Sequence, residues 1–146
     1  MSFLRRTKPA AVGKHSETVI LNGDTALEVR GEASYQPPLE ALAGGHSREG
    51  ADRPVIAILR REPTNKYDPN AIKVLARLEK QPDKAAMLVG YIAREKAALM
   101  APALDRFEAN EQRVALRGRI IGGWDRGDGD IGHFGIWLKY TPSDFA

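Results

Sequence analysis

The chain has 146 residues, one domain's worth, of which 42% are hydrophobic and 28% charged, with a formal net charge of +3 and no cysteine. That excludes disulfides, thiolate metal sites and a cysteine nucleophile, and no apolar run approaches the roughly 20 residues of a membrane span. Arg5, Arg6, Lys8 and Lys14 against Glu17 and Asp24 put most of the net charge in residues 1–25, so a nucleic-acid partner has to be argued from charge clusters.

Residues 1–25 read as a flexible basic arm, with Pro9, Gly13 and no sustained period, in which TVIL (18–21) can form a short strand. Its basic residues precede no apolar segment, so it is not a secretory signal, and the missing cysteines fit a cytoplasmic protein. Residues 26–146 form the domain. LEVRGEASY (27–35) is the first clear strand. Pro37-Pro38 then opens a short helix at LEAL, since proline is tolerated in a first helical turn. GGHSREGADRP (44–54) is a mobile loop by composition.

PVIAILRR (54–61) is strand-like in length and β-branching. AIKVLARL (71–78) alternates, with Ile72, Val74, Ala76 and Leu78 facing one way and Lys73 and Arg77 the other. MLVGYI (87–92) is a further strand. REKAALMAPALDRFEA (94–109) has helical spacing interrupted by Pro102, which costs about 3 kcal/mol in a helix interior. The expectation is two short helical turns, the second starting at Pro102. QRVALRGRII (112–121) and GHFGIWLKY (132–140) alternate as strands. Short strands, one helical insertion and glycines within strands (Gly90, Gly118, Gly135) predict a mainly β fold: a small, strongly bent barrel of about six strands.

Most chemistry-bearing features have plain explanations. His15, His46 and His133 are far apart and lack ligands at metal-site spacing, which points to no metal. DRGDGD (125–130) lacks the glutamate and flanking helices of a calcium loop and reads as a Gly-Asp hairpin turn. No nucleophile elbow and no phosphate-binding glycine loop is present, so no catalytic residue and no cofactor is assigned.

The loop in REPTNKYDPNAIKV (61–74) is richer than a hairpin requires. Turn chemistry accounts for Asp68-Pro69-Asn70: aspartate bonds its own backbone, proline fixes φ and asparagine tolerates the left-handed region. Around it stand Arg60, Arg61, Lys66 and Lys73, with Arg94 and Lys96 after the next strand and tyrosines at 35, 67 and 91. Rings beside scattered cations suit a single strand, whose bases stack at about 1–3 kcal/mol each while cations hold phosphates. A structural turn and a binding loop both remain open on these residues.

LRREPTNKYDPNAIKV (59–74), then VGYIAREKAALMAPALD (89–105), with GEASY (31–35) before them, resembles the HIRAN domain over about residues 26–141. The resemblance implies a small β-barrel related to OB-folds and SH3-like barrels, and a binding module rather than an enzyme. In fork-remodelling helicases that domain captures the 3′ end of single-stranded DNA. By resemblance, Tyr67 and Asp68 hold the terminal nucleoside and accept a hydrogen bond from its 3′-hydroxyl. Asn65 is a polar contact in the same loop and Arg94 a phosphate contact. Tyr91 stands where the helicase version has histidine. Ala33 and Ser34 stand where it has an arginine and a stacking tyrosine, with Tyr35 matching the next residue.

The expected nucleic-acid-binding set is Tyr35, Arg61, Asn65, Lys66, Tyr67, Asp68, Tyr91, Arg94 and Lys96, although Arg61 and Asn70 also read as structural parts of the motif. The leading function is recognition of a single-stranded DNA 3′ end in repair, replication or phage defence, by a monomer with no membrane association, beside a helicase or nuclease partner. Two alternatives stand: a protein-interaction module that keeps the fold without end binding, and an RNA-binding barrel, since nothing visible reads a 2′-hydroxyl.

Overall fold

Period-two alternation gives each strand one apolar face, and seven strands use it to enclose a common core in the computed structural model, which describes residues 17–146. In chain order these are β1 (Glu17–Leu21), β2 (Thr25–Arg30), β3 (Ala51–Arg61), β4 (Ile72–Leu78), β5 (Met87–Ile92), β6 (Gln112–Gly122) and β7 (Phe134–Tyr140). Two α-helices join them, α1 (Gln36–Ala43) and α2 (Arg94–Ala109), with single 3₁₀ turns at Glu32–Tyr35 and Pro142–Phe145. Among the described residues no helix is long and apolar enough to cross a membrane.

Six strands close an antiparallel barrel in the order β6-β3-β4-β5-β2-β7 and back to β6. The small barrel expected from the strand pattern is therefore present. β1 adds a seventh strand. It runs parallel to Gln112–Leu116 of β6, while β7 pairs with Gly118–Gly122 on the other half of the same strand. Residues 17–21 of the expected arm are thus part of the sheet, as the TVIL segment suggested, because β6 is long enough to serve two partners along one edge. The rest of the expected arm, residues 1–16, lies outside the described residues.

Glycines permit the closure at two crossings. At Gly118 a Cβ would collide with the Trp137 carbonyl. Gly90, at φ 152°, sits beside the irregular register between β4 and β5, where a Cβ would come within 2.6 Å of the Arg30 carbonyl oxygen. Inside lie Leu27, Val55, Leu59, Ile72, Val74, Leu116, Ile136 and Leu138. The helices add Leu39 and Leu42 from α1 and Met100 and Leu104 from α2.

Three expectations change. The strand at 27–35 ends at Arg30, because Gly31 turns left-handed at φ 86° and starts the 3₁₀ turn. That turn is stitched to β7: Ile136 N donates to Glu32 Oε2 at 2.8 Å, and the Gln36 amide both donates to and accepts from the Phe134 backbone at 2.9 Å. The loop at 44–54 is shorter than expected, since β3 begins at Ala51 by pairing with Gly122. Its first half is tied down, with Asp125 N donating to the Ser47 carbonyl at 2.8 Å. The third change is at Pro102, which lies inside one continuous helix instead of dividing two turns. Ala97, Met100, Ala101, Ala103 and Leu104 are all buried on one side, and that burial holds both halves in line across the missing backbone donor.

Candidate nucleic-acid interface

The hairpin between β3 and β4 owes its shape to side chains bonding backbone. The Asn65 Oδ1 accepts from Tyr67 N at 2.9 Å and Asp68 N at 3.0 Å. The Asp68 Oδ1 accepts from Asn70 N at 2.9 Å, and Ala71 N donates to the Asp68 carbonyl at 3.0 Å. Short polar side chains can do this because they reach backbone groups two or three residues on. Asn65 therefore organises the loop as well as lining what lies beside it.

Glu62, at the start of the loop, is the hub that the sequence reading missed. Its Oε1 accepts from Asn65 Nδ2 at 2.8 Å and from the Tyr91 hydroxyl at 3.0 Å, and Oε2 lies 3.7 Å from Lys73 Nζ. The Asn65 amide holds the Glu62 carboxyl below its ordinary value against the effect of partial burial, with Tyr91 and Lys73 adding to the lowering. Burial, and then the charged Glu62 partner, push the Tyr91 phenol up to about 12, so it stays protonated and keeps donating. The spacing of Glu62 and Asn65, three residues apart at a strand end, was visible in the sequence. Tyr91, 29 residues away, gave no such signal.

Arg61 takes a different role from the expected phosphate contact. Its side chain is 9% exposed, its Nε donates to Asp105 Oδ1 at 2.9 Å, and its Nη1 donates to the carbonyls of Pro69 at 3.0 Å and Ala71 at 3.1 Å. All of that guanidinium's visible bonding goes to clamping the loop onto α2, which leaves it unsuited to an outside phosphate. The structural reading of this residue is the one the geometry favours.

Beside the loop is a cleft of about 460 Å³. Asn65, Tyr67, Asp68 and Ala71 line it on the loop side, and Tyr91, Ile92 and Arg94 on the side of β5 and α2. The Tyr67 ring is 80% exposed, with Lys66 Nζ 5.9 Å from its centroid. Asp68 is largely buried, at 17% exposure, and its Oδ2 lies 4.0 Å from Nε of an Arg94 that is 74% exposed. The cleft thus combines a free aromatic face, a fixed carboxylate with one oxygen committed to backbone, and a loosely held guanidinium.

Five of the nine expected residues meet here: Asn65, Tyr67, Asp68, Tyr91 and Arg94. Lys66 stands at the rim through its contact with Tyr67. Tyr35 lies beside Tyr91 and helps raise its phenol, while Lys96 is exposed on α2 outside the lining. Among the described residues no three His, Asp or Glu side chains converge as metal ligands would.

A family model, the HIRAN domain, matches residues 44–117, which is half the chain and includes the loop, the cleft and α2. Among solved structures, the chain is similar to the HIRAN domain of human HLTF at 18% identity, over 84% of this chain and 79% of that one, with a TM-score of 0.37. It is also similar to a protein from Lactobacillus plantarum at 19% identity, over 82% of this chain and 95% of that one, with a TM-score of 0.39. Among curated proteins none matches.

Proposed function

Starting from the fact that this chain belongs to the HIRAN domain family, generally a DNA-binding module, we propose that its cleft receives the 3′-hydroxyl end of single-stranded DNA. One observation carries the reading: Asp68 Oδ1 is occupied by Asn70 N, while Oδ2 remains on the cleft beside Tyr67 and Arg94. A carboxylate repels phosphate and accepts a hydroxyl. The interior of a strand offers phosphates, and its 3′ end offers a free hydroxyl. Tyr67 supplies a stacking face that every base can use, and Arg94 is exposed enough to turn toward the preceding phosphate. The reading assigns binding and no catalysis. A role in repair, replication or phage defence, beside a helicase or nuclease, is part of this reading, because free 3′ ends are what such enzymes make and use.

Titration of a labelled oligonucleotide tests it. A 3′-phosphate brings negative charge against Asp68, and like charges at about 4 Å repel by roughly 1 kcal/mol in water and several times more in a partly desolvated site. The phosphorylated strand should bind at least about tenfold more weakly than the free-ended one, with a 5′-phosphate nearly neutral. Asp68→Ala should erase that preference, and Tyr67→Ala should weaken both substrates by about 1–3 kcal/mol. Equal affinity for both 3′ ends would overturn end recognition. No DNA binding at all would favour the protein-interaction alternative, and a strong preference for a ribose end would favour RNA.

A further inference from the structure

The outer surface of the barrel carries an apolar stripe that the cleft does not use. Strand register aligns one outward residue from each of five neighbours: Ile20 of β1 with Ala115 of β6, Ala115 with Ile58 of β3, Ile58 with Leu75 of β4, and Leu75 with Leu88 of β5. None of the five belongs to the core cluster, which takes their inward neighbours Ala57, Leu59, Val74, Ala76, Val89, Val114 and Leu116. Ile20 is 37% exposed, Ile58, Leu75 and Leu88 are half-buried, and the small Ala115 between Ile20 and Ile58 is fully buried. The outward face of an antiparallel sheet is ordinarily polar, so five aligned aliphatic residues there need an explanation.

Cations flank the stripe on both sides. Two positions along each strand put Arg113, Arg60 and Lys73 on one flank, and Arg117 and Arg77 with the buried Ile56 between them on the other. Lys73 has Glu62 at 3.7 Å and Arg117 has Glu79 at 3.2 Å. Among the described residues Arg60, Arg77 and Arg113 have no carboxylate at ion-pair distance, and residues 1–16 contain no Asp or Glu to supply one.

We infer that this stripe is a docking surface for an acidic amphipathic helix of a partner protein. Charge selects the occupant. The chain's own first residues are basic, with Arg5, Arg6, Lys8 and Lys14, and a second copy would set one row of arginines against another. Nucleic acid would meet the cations, but aliphatic side chains give its bases no stacking face. Geometry selects the conformation. The stripe crosses the strands at right angles, so an extended peptide along it could not pair with the sheet, whereas a helix satisfies its own backbone and presents one apolar face. Five strands at about 4.8 Å spacing give a stripe roughly 19 Å long, the length of a helix of about 13 residues.

The test uses the full chain and a labelled peptide of about 13 residues, with leucine at i, i+3, i+4 and i+7 spacing and glutamate elsewhere. Saturable binding is expected, with amide shifts on the strands bearing Ile58, Leu75 and Leu88. Leu75→Ser and Arg77→Glu should each weaken it at least about tenfold, and a twin peptide carrying lysine for glutamate should bind at least about tenfold less. DNA-end binding should be unaffected by Leu75→Ser. If one variant fails to fold, by its melting curve, the other variant and the wild-type amide map decide the matter. Absence of peptide binding, shifts confined to the cleft, displacement by an oligo-dT strand, or a Leu75-dependent dimer in sedimentation would each overturn the proposal.

Discussion

Two hairpin loops of this barrel are built from similar residues and end up with different capacities. The loop between β3 and β4 holds Asn65, Tyr67 and Asp68, and the loop between β6 and β7 holds Trp124, Asp125, Arg126 and Asp130. In the second loop the polar groups satisfy one another. Trp124 Nε1 donates to Asp130 Oδ1 at 3.1 Å, Arg126 stands 3.8 Å from Asp130 and 5.0 Å from the Trp124 ring, and Gly127 N donates to Asp125. In the first loop the comparable bonds go to backbone and to neighbouring elements, which leaves one ring, one carboxylate oxygen and one guanidinium facing a cleft. Composition alone did not create the site. The wall formed by β5 and α2, and the two residues that clamp the loop to it, made the difference.

Removing the clamp should erase the contrast most completely. Arg61→Met deprives Asp105 of its partner and two loop carbonyls of their donor. A loss of about 3 kcal/mol in denaturant unfolding is expected, together with weakened DNA binding. A variant as stable as wild type would show that the clamp is dispensable.

Glu62→Gln should act more selectively. The amide oxygen can still accept from Asn65 and Tyr91, but the charge that strengthens both bonds and attracts Lys73 is gone, and a stability loss of about 1–2 kcal/mol is expected, with weaker binding of a 3′ end. The pH profile sharpens this. The Glu62 carboxyl is held below its usual 4.5 in the fold, so its contribution is complete above 4.5 and fades as pH falls through the lower folded value. The wild type should lose its stability advantage over Glu62→Gln in that acid window, measured by thermal melts at stepped pH. An advantage that persists unchanged there would contradict the hub assignment.

The smallest effect belongs to the other loop. Trp124→Phe removes an exposed hydrogen bond and changes a cation–π contact, which should cost no more than about 1 kcal/mol and leave oligonucleotide affinity unchanged. A loss of DNA binding would mean that both loops touch the strand.

What could be read beforehand follows the range of the interactions. Ile72, Val74, Ala76 and Leu78 alternate within one strand, so β4 was legible residue by residue, and so was the proline-opened α1. Pro102 misled because its cost is local while the burial of Met100 and Leu104 is tertiary. Arg61 invited a phosphate role because its partner Asp105 lies 44 residues on, and Glu62 passed unnoticed because Tyr91 is equally invisible from the loop. Tyr67 and Asp68 stood out by residue type and by resemblance, and both line the cleft.

The way β6 shares one edge between β1 and β7 also bears on how copies of this chain avoid sticking to one another. Closing the barrel gives six strands a neighbour on each side, and β1 alone is paired along a single edge among the described residues. Unpaired strand edges are where β-proteins add foreign strands and grow fibrils. Among the described residues that template is five residues long, and it runs out at Asn22-Gly23-Asp24. A strand so short and so exposed offers few backbone groups to recruit a second chain.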